Sequence, residues 1–230
     1  ERPKVYTSLE EMLENSNLDV LDIVTDTRTH HRFAIEAMEA GVNVMTEKPM
    51  GITLKACRKM MEVRKRGNVK LAIAENYRRD PMNRLVKELI ENGAIGTLQM
   101  LINISVSGGG LLMHGTGWRA KKSMGGSLIL EQGVHTSDLI LYFMGEADSI
   151  YASTGIMQSE RIVGMRNAQL ENFYGHRVED QLGDQSKVSI DAEDSAFSVI
   201  NFENGAIGQM TMTNASNGYS FGNETIHGTT

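Results

Sequence analysis

The chain has 230 residues, 40% hydrophobic and 23% charged, with 29 acidic residues against 23 basic ones and a net charge of −6; this is the profile of one large or two small globular domains and excludes fibrous and disordered classes. The charges are interspersed, so no basic face is offered to nucleic acid, and the single cysteine, Cys57, excludes an intrachain disulfide framework and thiolate metal sites and favours a reducing compartment. The uncharged stretch from Asn92 to Trp118 holds seven glycines with Asn, Gln, Ser and His, a mixture no membrane span tolerates.

From Ser8 onward, helix-like and strand-like signals alternate at the spacing of βα units, which predicts a parallel sheet flanked by helices. Ser8 and Glu11 form a capping box that opens a short helix, and after Asn15-Ser16-Asn17 the run Val20, Leu21, Ile23, Val24 suits a buried parallel strand. Thr29 is placed to cap a helix with Phe33, Ala34, Ala37 and Met38 at helical spacing, stopped by Gly41, and Val42 to Thr46 is a second strand. Glu47-Lys48-Pro49 is a loop, a basic-tailed helix follows from Thr53 to Arg66 and stops at Gly67, and Val69 to Ala74 is a third strand. Asn76 to Asp80 reads as a loop, with Pro81 at the N1 position of a helix that ends at Asn92-Gly93.

After Gly96 the pattern turns to strands: Thr97 to Val106, Glu146 to Ile156, and Lys187 to Phe202 paired with Ala206 to Thr213 through the hairpin signal Asn204-Gly205. One helix, Ser127 to Met144, is set among them, and Gln158 to Gln185 is polar, lacks periodicity and reads as a long loop. The fold class is therefore α/β followed by α+β: an incomplete parallel sheet over residues 1–78, then a second domain over 79–230 with a largely antiparallel sheet. The chain opens at Glu1 without methionine, and we read it as beginning downstream of an original start.

Two places carry potential chemistry. Lys48 lies at the carboxyl end of a parallel strand, where open α/β sheets bind ligands; the proline after it restricts its backbone and Glu47 stands beside it. The alternative is a solvated Glu-Lys pair at a strand exit. On the predicted helix from Ser127 to Met144, Glu131, His135 and Asp138 fall at i, i+4 and i+7 on one stripe, while Leu128, Ile129, Val134, Leu139, Ile140 and Phe143 form a broad apolar surface. Either the stripe is the solvent face, or the helix is buried and the three groups share a cavity or bond one another, because lone buried charges are costly. A histidine one turn from a carboxylate suits proton transfer near neutral pH. His30-His31 opens a helix at the sheet's carboxyl edge, and the scattered histidines offer no metal-ligand spacing.

Leu21 to Thr25, Ala34 to Gly41, Val44 to Pro49, Asn76 to Pro81, Glu91 to Gly96 and Gly125-Gly126 through Gly133-Val134-His135-Thr136-Ser137-Asp138 resemble the Gfo/Idh/MocA oxidoreductases, with Glu-Lys-Pro and Gly-x-His-x-x-Asp in the family's order. The resemblance spans nearly the whole chain. It implies a Rossmann-like nucleotide-binding domain, NAD or NADP as cofactor, and hydride transfer to or from a secondary hydroxyl of a sugar, polyol or sugar derivative, with redox-assisted glycoside cleavage or a non-catalytic binding role of the same fold as alternatives. It further implies that Lys48 and His135 flank the reacting carbon. Glu131 stands where the family commonly has aspartate. By the same resemblance Thr25, Thr27, His30 and Glu47 are expected to line the nicotinamide and its ribose, with Asn76 and Arg78 nearby, Arg78 on the substrate side. Trp118-Arg119 matches a Trp-basic pair that approaches the cofactor, and Asp26 replaces a frequent proline.

Family members begin with a glycine-rich turn that grips the pyrophosphate, and this chain shows none, so by the resemblance it is an interior piece of a longer polypeptide. The same resemblance implies a homodimer or homotetramer through the second-domain sheet, with Val199, Phe202, Ile207, Met210 and Met212 on its exposed face; the reducing compartment that the lone cysteine favours makes the expected location cytoplasmic unless a lost leader directs export.

Overall fold

Three short apolar runs build the first sheet in the computed structural model, which describes residues 3–108, 110–112, 116–163, 186–218 and 220–230. The chain divides into two units, Glu1–Glu75 and Asn76–Thr230. In the first, β1 (Val20–Ile23), β2 (Asn43–Thr46) and β3 (Leu71–Ile73) run parallel in that order, with Leu21 beside Val44 and Val44 beside Leu71. α1 (Leu9–Asn15) leads into β1, and the connections between the strands, α2 (Thr27–Glu39) and α3 (Leu54–Gly67), are helical because their apolar residues recur at helical spacing. Ser8 caps α1 by accepting from the Glu11 N–H, as the capping box predicts. Ala34, Ala37 and Met38 of α2 and Met60 and Val63 of α3 close on Ile23 and Val44 to form the core of the unit.

Two helix ends differ from the pattern reading. The N-cap of α2 is Asp26, and Thr29 sits inside the first turn, its hydroxyl donating to the Asp26 carbonyl at 2.7 Å. The stop of α3 is Asn68, held at φ 51°, with Gly67 still helical; asparagine tolerates this left-handed conformation better than most residues.

The second unit begins with a 3-10 turn at Tyr77–Arg79 inside what reads as a loop, then α4 (Pro81–Glu91) with Pro81 in the first turn and Asp80 capping the Met82 N–H. Next come β4 (Leu98–Gly108), α5 (Leu128–Glu131), α6 (Gly133–Met144) and β5 (Ala147–Gly155), then β6 (Glu160–Ile162), β7 (Lys187–Ser189), β8 (Ser195–Phe202), β9 (Ile207–Ser216) and β10 (Phe221–Gly228). Five strands form one sheet in the order β10-β4-β9-β8-β5; β4 and β9 are parallel and the other neighbours antiparallel, so the sheet is mixed but largely antiparallel.

The predicted strand Lys187 to Phe202 is two strands. β7 pairs with β6, which occupies the start of the stretch read as loop, and only β8 joins the hairpin with β9. The remainder of that loop, 164–185, lies outside the described residues. The predicted helix Ser127 to Met144 is likewise two, α5 ending at Glu131 and α6 beginning at Gly133, with Gln132 between them still in the right-handed helical region.

Leu139, Ile140, Phe143 and Met144 of α6 pack on Leu101, Ile200, Phe202, Met210 and Met212 of the sheet, and each such side chain contributes about 1.5–3 kcal/mol when taken out of water. Phe202, Met210 and Met212 therefore belong to the covered face, not the exposed one. Val199 and Ile207 do lie outside, joined by Phe197, Tyr151 and Met100. Alternation assigns residues to two faces but does not say which face a helix covers. Among the described residues no helix is long and apolar enough to cross a membrane.

Candidate active site

At the carboxyl edge of the first sheet the chain leaves β1 through Thr25 and β2 through Glu47, Lys48 and Pro49. The Glu47 N–H donates to the Ile23 carbonyl at 2.9 Å, carrying the ladder one residue past the strands. The Glu47 carboxylate accepts the backbone N–H of Lys48 at 3.1 Å, so this side chain shapes the loop. The Lys48–Pro49 peptide is cis, and Lys48 itself is half-buried. Thr25 and Thr29 share a hydroxyl hydrogen bond at 2.8 Å.

His30, expected to line the nicotinamide, is only 1% exposed. Its Nδ1 lies 2.9 Å from the Pro49 carbonyl and its Nε2 3.0 Å from the Thr25 carbonyl, so the ring spans both strand exits. A neutral imidazole donates to one of these oxygens and an imidazolium to both. Thr27 is likewise buried, in the first turn of α2. Unit 1 thus brings Thr25, His30, Glu47 and Lys48 together, with His30 and Thr27 inside.

In the second unit two of the three groups of the stripe are buried, while Asp138 is only partly so. Glu131 is 4% and His135 8% exposed. Each side chain of the stripe has its own partner. Arg119 Nε donates to Glu131 Oε2 at 3.3 Å and its Nη1 to Thr116 Oγ1 at 2.7 Å, while the guanidinium lies 4.3 Å over the Trp118 ring. The Tyr77 ring stacks on His135 at 4.2 Å with 14° between planes. Arg78 grips Asp138 through Nε and Nη2 at 2.7 and 2.6 Å. Asn76 stands exposed where the turn begins, its carbonyl accepting from the Arg79 N–H.

The loop bearing Trp118 and Arg119 is held from several sides. Gly126 passes so close that a Cβ there would lie 2.5 Å from the Arg119 carbonyl oxygen and 2.6 Å from that of Trp118. The Asp191 N–H donates to the Ala120 carbonyl, the Lys122 N–H to Asp191, and the Leu128 N–H to the Glu193 carbonyl. Lys122 Nζ meets Glu193 at 2.6 Å; this hydrogen bond and charge pull the Glu193 carboxyl below its usual range and raise Lys122 above its own.

Next in the chain, Asp194 and Arg161, each 2% exposed in its side chain, form an ion pair at 2.6 Å. Asp194 also accepts the N–H groups of Met157 and Gln158 and the Ser195 hydroxyl, and Arg161 donates to the Asn214 carbonyl. Burial lowers the Arg161 guanidinium from its ordinary value and Asp194 opposes that.

Pattern reading passed over Tyr77, Thr116 and the Arg161–Asp194 pair. An aromatic residue between Asn76 and Arg78 was the one signal for Tyr77; nothing local marks the others, which are joined only by tertiary folding. Among the described residues no three His, Cys, Asp or Glu side chains cluster to hold a metal.

The NAD-binding Rossmann-fold domain of the oxidoreductase family matches residues 2–75, and the GFO/IDH/MocA C-terminal domain matches residues 83–230. The levoglucosan dehydrogenase of Pseudarthrobacter phenanthrenivorans is 30% identical over 222 residues, 95% of this chain and 55% of that protein. The myo-inositol 2-dehydrogenase of Thermotoga maritima is 28% identical over 160 residues, 69% of this chain and 46% of that one. Among solved structures, levoglucosan dehydrogenase in complex with NADH and levoglucosan superposes with a TM-score of 0.79 at 27% identity, covering 97% of this chain and 55% of that one. The WlbA dehydrogenase of Bordetella pertussis with NADH and UDP-GlcNAcA gives 0.75 at 25%, covering 97% and 57%. The chain spans about half the length of the curated relatives it matches. With both domains of the family matched in order over nearly its whole length, the chain belongs to the Gfo/Idh/MocA family of oxidoreductases.

Proposed function

We propose that the protein moves hydride between the nicotinamide of NAD or NADP and the carbon of a secondary hydroxyl, or its ketone, in a sugar, polyol or sugar derivative. The observation that carries this reading is the burial of two ionisable groups four residues apart, Glu131 at the end of α5 and His135 near the start of α6. Such burial is costly, and each group is held by a dedicated partner, as a proton-handling site requires. The named dehydrogenases among the relatives support it.

The exit loops of unit 1 suit the nicotinamide half of the cofactor. Thr25 presents a hydroxyl and Glu47 a carboxylate at the carboxyl edge of a parallel sheet, a donor and acceptor set matched to a carboxamide and ribose hydroxyls. When bound, the nicotinamide supplies the hydride acceptor or donor. His30 and Thr27 serve that edge from inside, by fixing the loops. Asn76, Trp118 and Arg119 complete the cofactor side in this reading.

Lys48 and His135 hold the substrate hydroxyl and take its proton as the carbon–hydrogen bond is broken, and Glu131, set by Arg119, tunes the polarity beside the imidazole. Arg78 was expected to touch substrate, but two of its N–H groups are committed to Asp138, and we assign it to positioning. The outward face of the five-stranded sheet, with Tyr151, Phe197, Val199 and Ile207, joins copies of the protein into a dimer or tetramer.

The direct test incubates the protein with NAD or NADP and a panel of sugars and polyols, following reduced cofactor and sugar products together. Reduced cofactor accumulating in step with a keto-sugar supports the reading. Sugar cleavage without net reduced cofactor assigns the protein to redox-assisted cleavage instead, and saturable sugar binding with neither product assigns it to binding alone.

A further inference from the structure

His135 is the third residue of α6, four residues past Glu131 at the end of α5, and its ring is flanked by a side chain that neither helix supplies. The ring is held from outside the helix. Tyr77 covers one face of the imidazole at 4.2 Å and nearly parallel, and Arg78, the next residue, takes Asp138 with a two-pronged grip. His135 and Asp138 are three apart and share one face of α6. Two consecutive residues of the 3-10 turn therefore clamp two residues of one helix face, and the same guanidinium lies 5.0 Å over the Tyr142 ring on α6. The turn in its turn is tied to α4, because Asn83 Nδ2 donates to the Tyr77 carbonyl at 2.9 Å.

We infer that Tyr77 is a positioning residue that sets the plane of the His135 ring through stacking, with the Arg78–Asp138 pair holding the turn in place. This rests on the reading of His135 as the proton acceptor. An acceptor nitrogen works only when its lone pair points along the hydroxyl it deprotonates, and a stacked neighbour allows the ring to slide in its plane but not to swing out of it. The contribution belongs to the aromatic face, not to the phenol hydroxyl. Leucine at position 77 fills the space but removes the stack, whereas phenylalanine preserves it.

The test combines the proton NMR spectrum of the histidine rings with steady-state kinetics. Protons of a ring lying under an aromatic face are shielded, so the His135 ring signals, identified by their loss in His135→Asn, are expected upfield of those of the other histidines in the parent and in Tyr77→Phe. They are expected among the others in Tyr77→Leu. With NAD or NADP and a sugar that the protein turns over, Tyr77→Leu is expected to lower kcat about a hundredfold, the cost of a misplaced catalytic group, with the cofactor KM unchanged; Tyr77→Phe recovers most of the rate.

If Tyr77→Leu fails to fold, Arg78→Lys keeps the charge and loses the fork, and the His135 signals must then move toward the others. The inference is overturned if those signals stay in place in the loosened variant, or if Tyr77→Phe is as slow as Tyr77→Leu. A His135→Asn variant with the parent's rate overturns the catalytic reading of His135 and with it the kinetic half of the inference, and the NMR result then decides the stacking alone.

Discussion

The imidazole of His30 lies 2.9 Å from the carbonyl oxygen of Pro49, tying the first turn of α2 to the residue that follows Lys48. Its other nitrogen is on Thr25, so this one buried ring spans the two strand exits of the unit. His30→Ala removes a buried side chain and leaves two carbonyl oxygens without it. The combined cavity and lost hydrogen bonds are expected to cost about 2–4 kcal/mol, read as a lowered midpoint in urea. A midpoint equal to that of the parent removes His30 as the brace of this edge.

Lys48→Ala is expected to lower turnover about a hundredfold or more, the usual contribution of a positioned proton-transfer group. The affinity for NAD or NADP, measured by calorimetry, stays near that of the parent because the Glu47 carboxylate still accepts the backbone N–H of residue 48. Unchanged turnover takes Lys48 out of the mechanism.

Asp194→Ala strands the Arg161 guanidinium, which is 2% exposed, and frees the N–H groups of Met157 and Gln158. Breaking a buried pair by removing one partner costs about 3–5 kcal/mol. The double variant Arg161→Met with Asp194→Ala no longer leaves a buried charge and is expected to be the more stable of the two in thermal melts.

Chain organisation was legible where local signals agree with tertiary demands. The capping box at Ser8, Pro81 at the start of α4 and the Asn204-Gly205 hairpin each depend on a few neighbouring residues, and all three stand in the structure. The reading failed where distant residues decide. β8 begins only at Ser195, because the segment before it turns away to bond Ala120, Lys122 and Leu128. Arg161 stands in a stretch whose polarity says loop, yet it is buried because Asp194 and Asn214 wait for it. The candidate site shows the same division: Glu131, His135 and Asp138 were visible as a stripe, but their partners Arg119, Tyr77 and Arg78 lie outside the helix and follow no spacing rule.

Glu193 and Lys122 give a pH dependence. The Glu193 carboxyl is held below its usual range by the Lys122 hydrogen bond, so its contribution to stability is present above the ordinary glutamate pKa and is lost as pH falls through the lowered one. Lys122 is raised, so its share is present below the ordinary lysine pKa and is lost as pH rises through the raised one. The stability difference between the parent and Glu193→Gln is therefore expected to hold across neutral pH and to vanish in acid. A difference that persists in acid shows that the Lys122 pair is not its source.

Gly126→Ala places a methyl group against the carbonyls of Trp118 and Arg119 and is expected to cost about 1–3 kcal/mol as the backbone shifts. Trp118 is the sole tryptophan of the chain, so its emission spectrum reports the movement without a label. An unshifted spectrum with parental stability shows that the loop yields freely.

The parallel pairing of β4 with β9 has a consequence for how the protein is made. In unit 1, Asn43 binds Asp19 and Lys70, only 24 and 27 residues away, so its sheet closes from near neighbours. In unit 2, Asn103 of β4 reaches Glu224 of β10 across 121 residues, and both strands that flank β4 follow it at the far end of the chain. Closing such long loops slows folding. β4, with Leu101, Ile102 and Ile104, leaves the ribosome before β9 and β10 and keeps both edges open until they are synthesised, which exposes it in the nascent chain to other chains and to chaperones.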